Sequence, residues 1–385
     1  MNQFPKLFEP ITLRGITSKN RIVISPMCQY SAHEGHLDDW HLVNLGRFAM
    51  GGAGIVFTEA TAVQKSGRIT HGCTGLWCDS QIAGHSRVAQ FALRNGAIPA
   101  VQLGHAGRKS GMQRPWFGNG PVNDGDVARG DMPWAPVGPS AIQVGTGWPL
   151  PKSLTLSDIE RLKLDYVAAA LRAITAGYKI IELHGAHGYL VHSFLSPLSN
   201  QRDDAYGGSL EGRMRLALEL ADTLRAVLPN ELPLFFRTSA VDGVENGWSL
   251  DDSIVLAKEL KSRGVDVVDC SSGGIAGPAT AAGGGKRQPS FQVPYAERIK
   301  REVGLETMAV GLITHAHQAE EILNEGSADL IALGREALVD PSWAQHAARK
   351  LGFDPDFNTW PTQSGWWLSR RELTSDFYLP KDPII

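Results

Sequence analysis

The sequence has 385 residues, 43% of them hydrophobic and 20% charged, with a formal net charge of −3. That length suits one large α/β domain or two ordinary ones, and the composition is that of a globular chain. The evenly mixed charge excludes the basic footprint of a nucleic-acid binder, and no apolar stretch is long enough to span a bilayer.

The opening, "MNQFPKLFEPITLRG", lacks the charged, apolar and small-residue order of a secretory leader. Nucleic acid and membrane are therefore not expected partners. Four cysteines, Cys28, Cys73, Cys78 and Cys270, form no CxxC pair, so neither a zinc nor an iron–sulfur framework is expected. A reduced, cytoplasmic setting is the simplest reading.

Eight apolar runs follow one another, beginning near residues 21, 54, 98, 179, 233, 265, 307 and 329. They read "NRIVISPM", "GGAGIVFTEA", "RNGAIPAVQLGH", "TAGYKIIELHGAH", "LPLFFRTS", "SRGVDVVDCSSGG", "LETMAVG" and "NEGSADLIALGRE". Several are preceded by a glycine where a helix would stop, because glycine accepts the left-handed backbone past a helix end. A short, nearly unbroken apolar run marks a parallel strand covered on both faces. Helical patterns lie between the runs. "SDIERLKLDYVAAALRAITAG" is predicted to open on a capping box of Ser157 and Glu160. It places Ile159, Leu162, Tyr166 and Ala170 near one face. "SLDDSIVLAKELKSRG" has Ser249 as its cap and Gly264 as its stop. The alternation predicts an α/β fold, a single (β/α)8 barrel over residues 1–350, with capping loops and a C-terminal extension. A doubly wound sheet is the rival, but it would gather its ligand at one switch point. Here every strand end is decorated.

In a barrel those ends converge on one mouth, where catalytic groups sit. Gln102, Arg237 and Arg335 are large donors at such ends. Backbone amides near Gly311 and Gly334, with Arg335, form a candidate phosphate cup after the last two strands, where close-approaching backbone and a guanidinium suit a dianion. The Rossmann and P-loop alternatives fail on spacing. No GxGxxG opens a helix after the first strand, "CSSGGIAG" is spaced wrongly, and "GGGKR" has Arg287 where Ser or Thr is needed.

The stretch "IELHGAHGYLVHSFLSP" sets His184, His187 and Tyr189 just past a strand. Three readings are open. A metal pair needs a third ligand, and beyond Glu182, on the same face as His184, no matched cluster is present. Structural histidines are the second reading. The third is favoured: two imidazole donors that polarise a substrate oxygen, with Tyr189 beside them. A phenol of pKa about 10 holds its proton at neutral pH and can donate it.

These pieces resemble the Old Yellow Enzyme family of FMN-dependent ene-reductases, in its bacterial branch with a cysteine near the flavin. The resemblance rests on "LFEPITLRGITSKNRIVISPMCQY", "GGAGIVFTEATAV", "GRIT", "QLGHAGRK", "QVPYAERIK", "LIALGREALVDP" and above all "ELHGAHGYLVHSFLSPLSNQRDDAYGGSLEGRMR". It implies that Ser25, Pro26, Met27 and Cys28 lie along FMN, with Cys28 tuning its potential. Ala60 and Gln102 would contact the ring, and Arg237 would stabilise negative charge on its reduced form. Gly311, Gly334 and Arg335 would hold the phosphate. His184 and His187 would bind a substrate carbonyl, Tyr189 would protonate the α-carbon, and Tyr30 would shape the pocket. The implied activity is reduction of the activated C=C bond of an α,β-unsaturated carbonyl compound with NADPH or NADH. Nitro-group reduction and oxidative demethylation share such a site, and a metal-dependent barrel hydrolase is the rival from another class.

Residues 104–152 are long, Gly/Pro/Trp-rich and weakly periodic, and are expected to cap the mouth, with Trp116, Trp134 and Trp148 packed. The loop "AGPATAAGGGKRQP" offers Lys286 or Arg287 to the phosphates of a nicotinamide cofactor. The tail, residues 351–385, falls outside the barrel pattern. The resemblance implies that Trp367 and Arg370 reach a neighbouring subunit's site, in a homodimer or homotetramer.

Overall fold

A computed structural model describes residues 4–277 and 287–374. Eight parallel strands close into a barrel in which each strand pairs with its neighbours in chain order. They are β1 (Ile22–Ile24), β2 (Ile55–Ala62), β3 (Ile98–Gly104), β4 (Ile180–Gly185), β5 (Leu234–Ser239), β6 (Val267–Ser271), β7 (Glu306–Ala309) and β8 (Leu330–Leu333). The expected barrel is present, and every apolar run named above supplies one of its strands.

Eight principal helices form the outer layer. They are α1 (Asp39–Met50), α2 (Ile82–Arg94), α3 (Leu156–Ala176), α4 (Leu210–Val227), α5 (Leu250–Ser262), α6 (Val293–Val303), α7 (Ala316–Asn324) and α8 (Trp343–Lys350). The α3 face is as expected, with Ile159, Leu162, Tyr166 and Ala170 all buried. Its cap is not. Thr155, rather than Ser157, accepts from Asp158 N, and Asp158 returns the bond to Thr155 N. Starting earlier puts Ile159 in the first buried turn, and the Thr155–Asp158 spacing completes the reciprocal pair. Ser249 caps α5 in the same reciprocal way through Asp252, and Gly264 follows that helix at φ +79°.

The pleat points every second residue of a barrel strand inward. At the N-terminal end these are Val23, Phe57, Ala100, Ile180, Phe235, Val267, Met308 and Leu330, which form one apolar cluster. A hairpin of Ile11–Leu13 and Ile16–Ser18 closes that end and adds Ile11 and Leu13 to the cluster. Fully burying one such side chain stabilises the fold by about 1.5–3 kcal/mol. The opposite end is polar, and the candidate site lies there.

Between β3 and α3 the chain forms short elements: single 3-10 turns at Gly107–Lys109 and Pro115–Phe117, a helical turn at Asp124–Ala128, and a two-residue ladder pairing Val137–Gly138 with Lys152–Ser153. Trp148 is buried and packs in a cluster with Met112, Val144, Tyr30 and Tyr189. Trp134 donates to Ser66 O and receives the Arg68 guanidinium on its face. Trp116 is exposed on one side and meets the Tyr30 ring edge-on at 6.0 Å.

Candidate active site

One step along the strands from the apolar layer, the inward residues become polar. Ala100 is followed by Gln102, Ile180 by Glu182, Phe235 by Arg237 and Val267 by Asp269. All four polar side chains are buried. Gln102 Nε2 donates to Glu182 Oε1 at 2.8 Å. Arg237 Nε lies 3.1 Å from Asp269 Oδ2, although it is not aligned for a hydrogen bond. Burial and the Asp269 charge push the Glu182 carboxyl well above the usual carboxylate range, and burial also raises Asp269 against the pull of Arg237. A buried unpaired polar group costs about 1–3 kcal/mol. Glu182 Oε2, both Asp269 oxygens and the Ser25 hydroxyl have no hydrogen-bond partner within the described residues.

His184 sits on β4 opposite Arg237 of β5. The chain then turns through His187, at φ +60°, and Gly188, at φ +72°, so that Tyr189 returns toward the mouth. The three rings stand nearly perpendicular to one another. Centroids are 5.3 Å apart for His184–His187, 5.0 Å for His184–Tyr189 and 6.4 Å for His187–Tyr189. Ala60, Gly104, Cys73, His184 and Tyr189 line a small cavity.

Protonation at this cluster follows from the contacts. Burial and then the Arg237 charge hold both imidazoles well below the ordinary histidine range, so both are neutral at pH 7. Ala186 N donates to His184 Nδ1 at 3.3 Å, which leaves Nε2 as the ring's donor. Ser271 Oγ accepts from Gln292 Nε2 and lies 2.7 Å from His187 Nε2. Either partner can donate across this contact; when the Ser271 hydroxyl donates to Nε2, Nδ1 carries the His187 proton. Burial pushes the Tyr189 phenol well above its ordinary value, so it stays protonated.

The loop is fixed from below. His187 N donates to Ser239 Oγ at 2.9 Å, and Ser239 Oγ donates to Gly273 O at 2.7 Å. Lys109 Nζ donates to His187 O at 2.9 Å and to Gly274 O. A Cβ on Gly188 would stand 2.2 Å from Gly274 O, so only glycine lets the two loops meet. Lys109 is fully buried, and desolvation followed by the Arg108 charge pushes its pKa down to about 7. Lys109, Ser239, Ser271 and Gln292 lie within the quoted segments, but the sequence assigned them no role. Lys109 lies in the long segment after β3, where only the fold brings it to His187.

Most of the residues singled out in the sequence meet at this end. Ser25, Pro26, Met27, Cys28 and Tyr30 run out of β1, and Ser25 N donates to Leu333 O of β8 at 2.9 Å. Ala60 and Gln102 are paired across β2 and β3. Gly334 follows β8 directly, and among the described residues a Cβ there would have only Met27 Sδ near it, at 4.0 Å. Gly311 follows β7 at φ +117°, and Arg335 opens the short helix after Gly334. Trp367 and Arg370 are elsewhere, on the helix Thr362–Thr374. There Trp367 is exposed against Trp366, and the Arg370 guanidinium lies over the Trp366 ring. Arg287 lies over the Phe291 ring, while Lys286 is outside the described residues. Among the described residues no group of three or more His, Cys, Asp or Glu is arranged to hold a metal ion. No helix there is long and apolar enough to cross a membrane.

Residues 6–353 match the NADH:flavin oxidoreductase / NADH oxidase family. An NADH:flavin oxidoreductase of Gibberella zeae is 43% identical over 362 residues, covering 91% of this chain and 86% of that protein. An NADPH dehydrogenase of a Geobacillus species is 43% identical over 348 residues, covering 90% and 94%. Among solved structures, a morphinone reductase variant in complex with tetrahydroNAD superposes with a TM-score of 0.73 at 25% identity over 91% of both chains. A 2-naphthoyl-CoA reductase shares the fold with a TM-score of 0.80 at 23% identity. The match covers 90% of this chain and 53% of that longer one.

Proposed function

The chain belongs to the NADH:flavin oxidoreductase / NADH oxidase family, and we propose that this oxidoreductase uses NADPH or NADH to reduce the activated C=C bond of α,β-unsaturated carbonyl compounds. The observation that carries the proposal is the convergence of two neutral imidazole donors and one protonated phenol at the barrel mouth.

FMN, when bound, supplies the hydride for the β-carbon after taking it from the nicotinamide. The residues that would hold it are Ser25, Pro26, Met27, Cys28, Ala60, Gln102, Arg237, Gly311, Gly334 and Arg335. The mouth fits such a group. Among the described residues the Ser25 hydroxyl is buried without a hydrogen-bond partner, Gly334 leaves open space where a side chain would stand, and Arg237 is a buried cation. Arg237 suits a cofactor whose reduced form is more negative than its oxidised form.

The side chains divide the remaining work. The N–H groups of His184 and His187 donate to the substrate carbonyl oxygen and draw electron density away from the β-carbon. Being neutral, the imidazoles polarise the carbonyl without giving up a proton to it. The Tyr189 phenol holds the proton that the α-carbon receives. Tyr30 and the Trp116 ring against it bound the pocket on the side of the segment leaving β1. Trp367 and Arg370, exposed on the tail helix, are proposed to complete a neighbouring subunit's pocket. Light scattering should then give a dimer or tetramer, and a monomer at working concentration would contradict that assignment.

Tyr189→Phe tests the chemistry. Flavin reduction by NAD(P)H should keep its rate while enone reduction slows, because only the second step needs the phenolic proton. Equal slowing of both half-reactions would remove Tyr189 from the role of acid.

A further inference from the structure

Glu59 has no part in the chemistry above, yet it is buried directly behind the mouth. The pairing of β2 with β3 shifts between Thr58 and Ala60, which leaves Glu59 at a bulge. Its Oε2 accepts from Gln29 N at 2.9 Å, and Tyr30 N also bonds to the carboxyl. These bonds hold the turn in which Tyr30 adopts φ +51°, a left-handed backbone uncommon for a bulky side chain. Its Oε1 lies 3.5 Å from His41 Nε2 of α1, a buried nitrogen with no hydrogen bond among the described residues. His41 Nδ1 is 2.8 Å from the carboxylate of Asp38, which is exposed. A chain of ionisable groups therefore runs from the surface to the underside of the segment Cys28–Tyr30.

The groups around Glu59 come from every packed element. His41, with Asp38 behind it, belongs to the α1 side. Cys28 and Tyr30 lie on the segment leaving β1, and Cys73 on the loop after β2. Tyr178, before β4, and His85 of α2 reach its neighbour Thr58, with Thr58 Oγ1 2.7 Å from the phenol and His85 Nδ1 2.8 Å from it. None of these groups is a permanent cation. Burial pushes the Glu59 carboxyl up to about 8, against the two backbone N–H groups that favour its charge. The Glu59 charge is in turn the second cause, after burial, that holds the Cys28 thiol up.

We propose that Glu59 is a positioning residue of the mouth: buried at the β2 bulge and bonded to Gln29 N beside Cys28, its carboxyl fixes the Cys28–Tyr30 turn and sets the electrostatic surroundings of the Cys28 sulfur. The proposal rests on the enone-reductase reading only in taking Cys28 to lie beside FMN. The coupling itself belongs to the polypeptide. It makes the electrostatic setting of Cys28 depend on a carboxyl linked through His41 to solvent. While Glu59 is neutral, burial and Cys73 still hold the Cys28 thiol up, against hydrogen bonds from Ala60 and Tyr30. Once Glu59 ionises, a second negative charge on Cys28 becomes harder to form.

The test is the pH profile of Cys28 alkylation by iodoacetamide, read by peptide mass spectrometry on the purified full-length protein. Glu59→Gln keeps an acceptor for Gln29 N and Tyr30 N but cannot ionise. In this variant the profile should move to lower pH by about one unit, equivalent to roughly tenfold faster alkylation at a given alkaline pH. A Glu59 that only supports the fold would leave the profile where it is in the parent, and that result would overturn the proposal. If Glu59→Gln does not fold, the parent protein decides. Two coupled groups give a profile broader than a one-proton curve, whereas a single one-proton curve contradicts the coupling. Neither readout uses an enone or a turnover, so failure here is distinct from failure of the proposed activity.

Discussion

At the bottom of the barrel, Ala100, Ile180, Phe235 and Val267 pack around Ile11 and Leu13. One inward step higher on the same four strands stand Gln102, Glu182, Arg237 and Asp269, equally buried. Strand, register and burial are shared, and only the chemistry changes. The lower layer stabilises the fold through removal of apolar area from water. The upper layer works against it, because Glu182 Oε2, both Asp269 oxygens and the nearby Ser25 hydroxyl have no hydrogen-bond partners within the described residues. Two carboxyls with raised pKa beside one arginine do not make an efficient structural ion pair. The difference shows where the fold is held and where it is arranged for a ligand.

Four perturbations test that division, starting with the largest. Phe235→Ala removes a fully buried ring from the lower layer and should cost about 3–5 kcal/mol in denaturant unfolding. The half-reactions of the folded fraction should stay near those of the parent, and a large kinetic defect would break the separation. His184→Ala should do the reverse. Losing one donor to the substrate oxygen should slow enone reduction by about 100- to 1000-fold, with a smaller loss of stability than Phe235→Ala.

Acid separates the two ends next. Burial holds His85 down at about 3 and His105 down at about 4, and it keeps His184 and His187 well below the ordinary range. The unfolded chain takes up these protons near pH 6.5, before the native state does, so it binds more protons across that interval. Stability is therefore fully present above about pH 6.5 and falls as pH drops toward about 4, by about 1.4 kcal/mol per pH unit for each such group. Hydrogen exchange at mildly acid pH should show residues 103–113 and 184–192 opening before β5 and β6 at the lower layer. Uniform opening would contradict the division. The smallest effect is expected at Thr155→Ala, on the outer surface, where loss of the α3 cap should cost about 1 kcal/mol in thermal unfolding and leave the mouth untouched.

The eight strands were legible because parallel strands buried on both faces cannot hide their apolar runs, and "IVI", "LFF" and "LIAL" stand out against polar flanks. His184, His187 and Tyr189 were legible for the opposite reason, as polar rings set where an apolar run stops. The α3 cap was misplaced at Ser157 because Ser157–Glu160 and Thr155–Asp158 have the same spacing. Only the packing of Ile159 chooses between them. Glu59 was hidden because a bulge buries it inside what reads as an ordinary strand, and its partner His41 lies on another element. Lys109 stands in the quoted segment "QLGHAGRK", but its role was hidden because its acceptors, His187 O and Gly274 O, belong to the loops after β4 and β6.

The central claim is that this mouth passes electrons from a nicotinamide to an enone. Its most direct test is an anaerobic visible spectrum of the purified protein, reduced with NADPH or NADH and then mixed with cyclohexenone. The account predicts a flavin band that bleaches on reduction and returns when the enone is added. A band that stays bleached in excess enone, or no band at all after incubation with FMN, would contradict it.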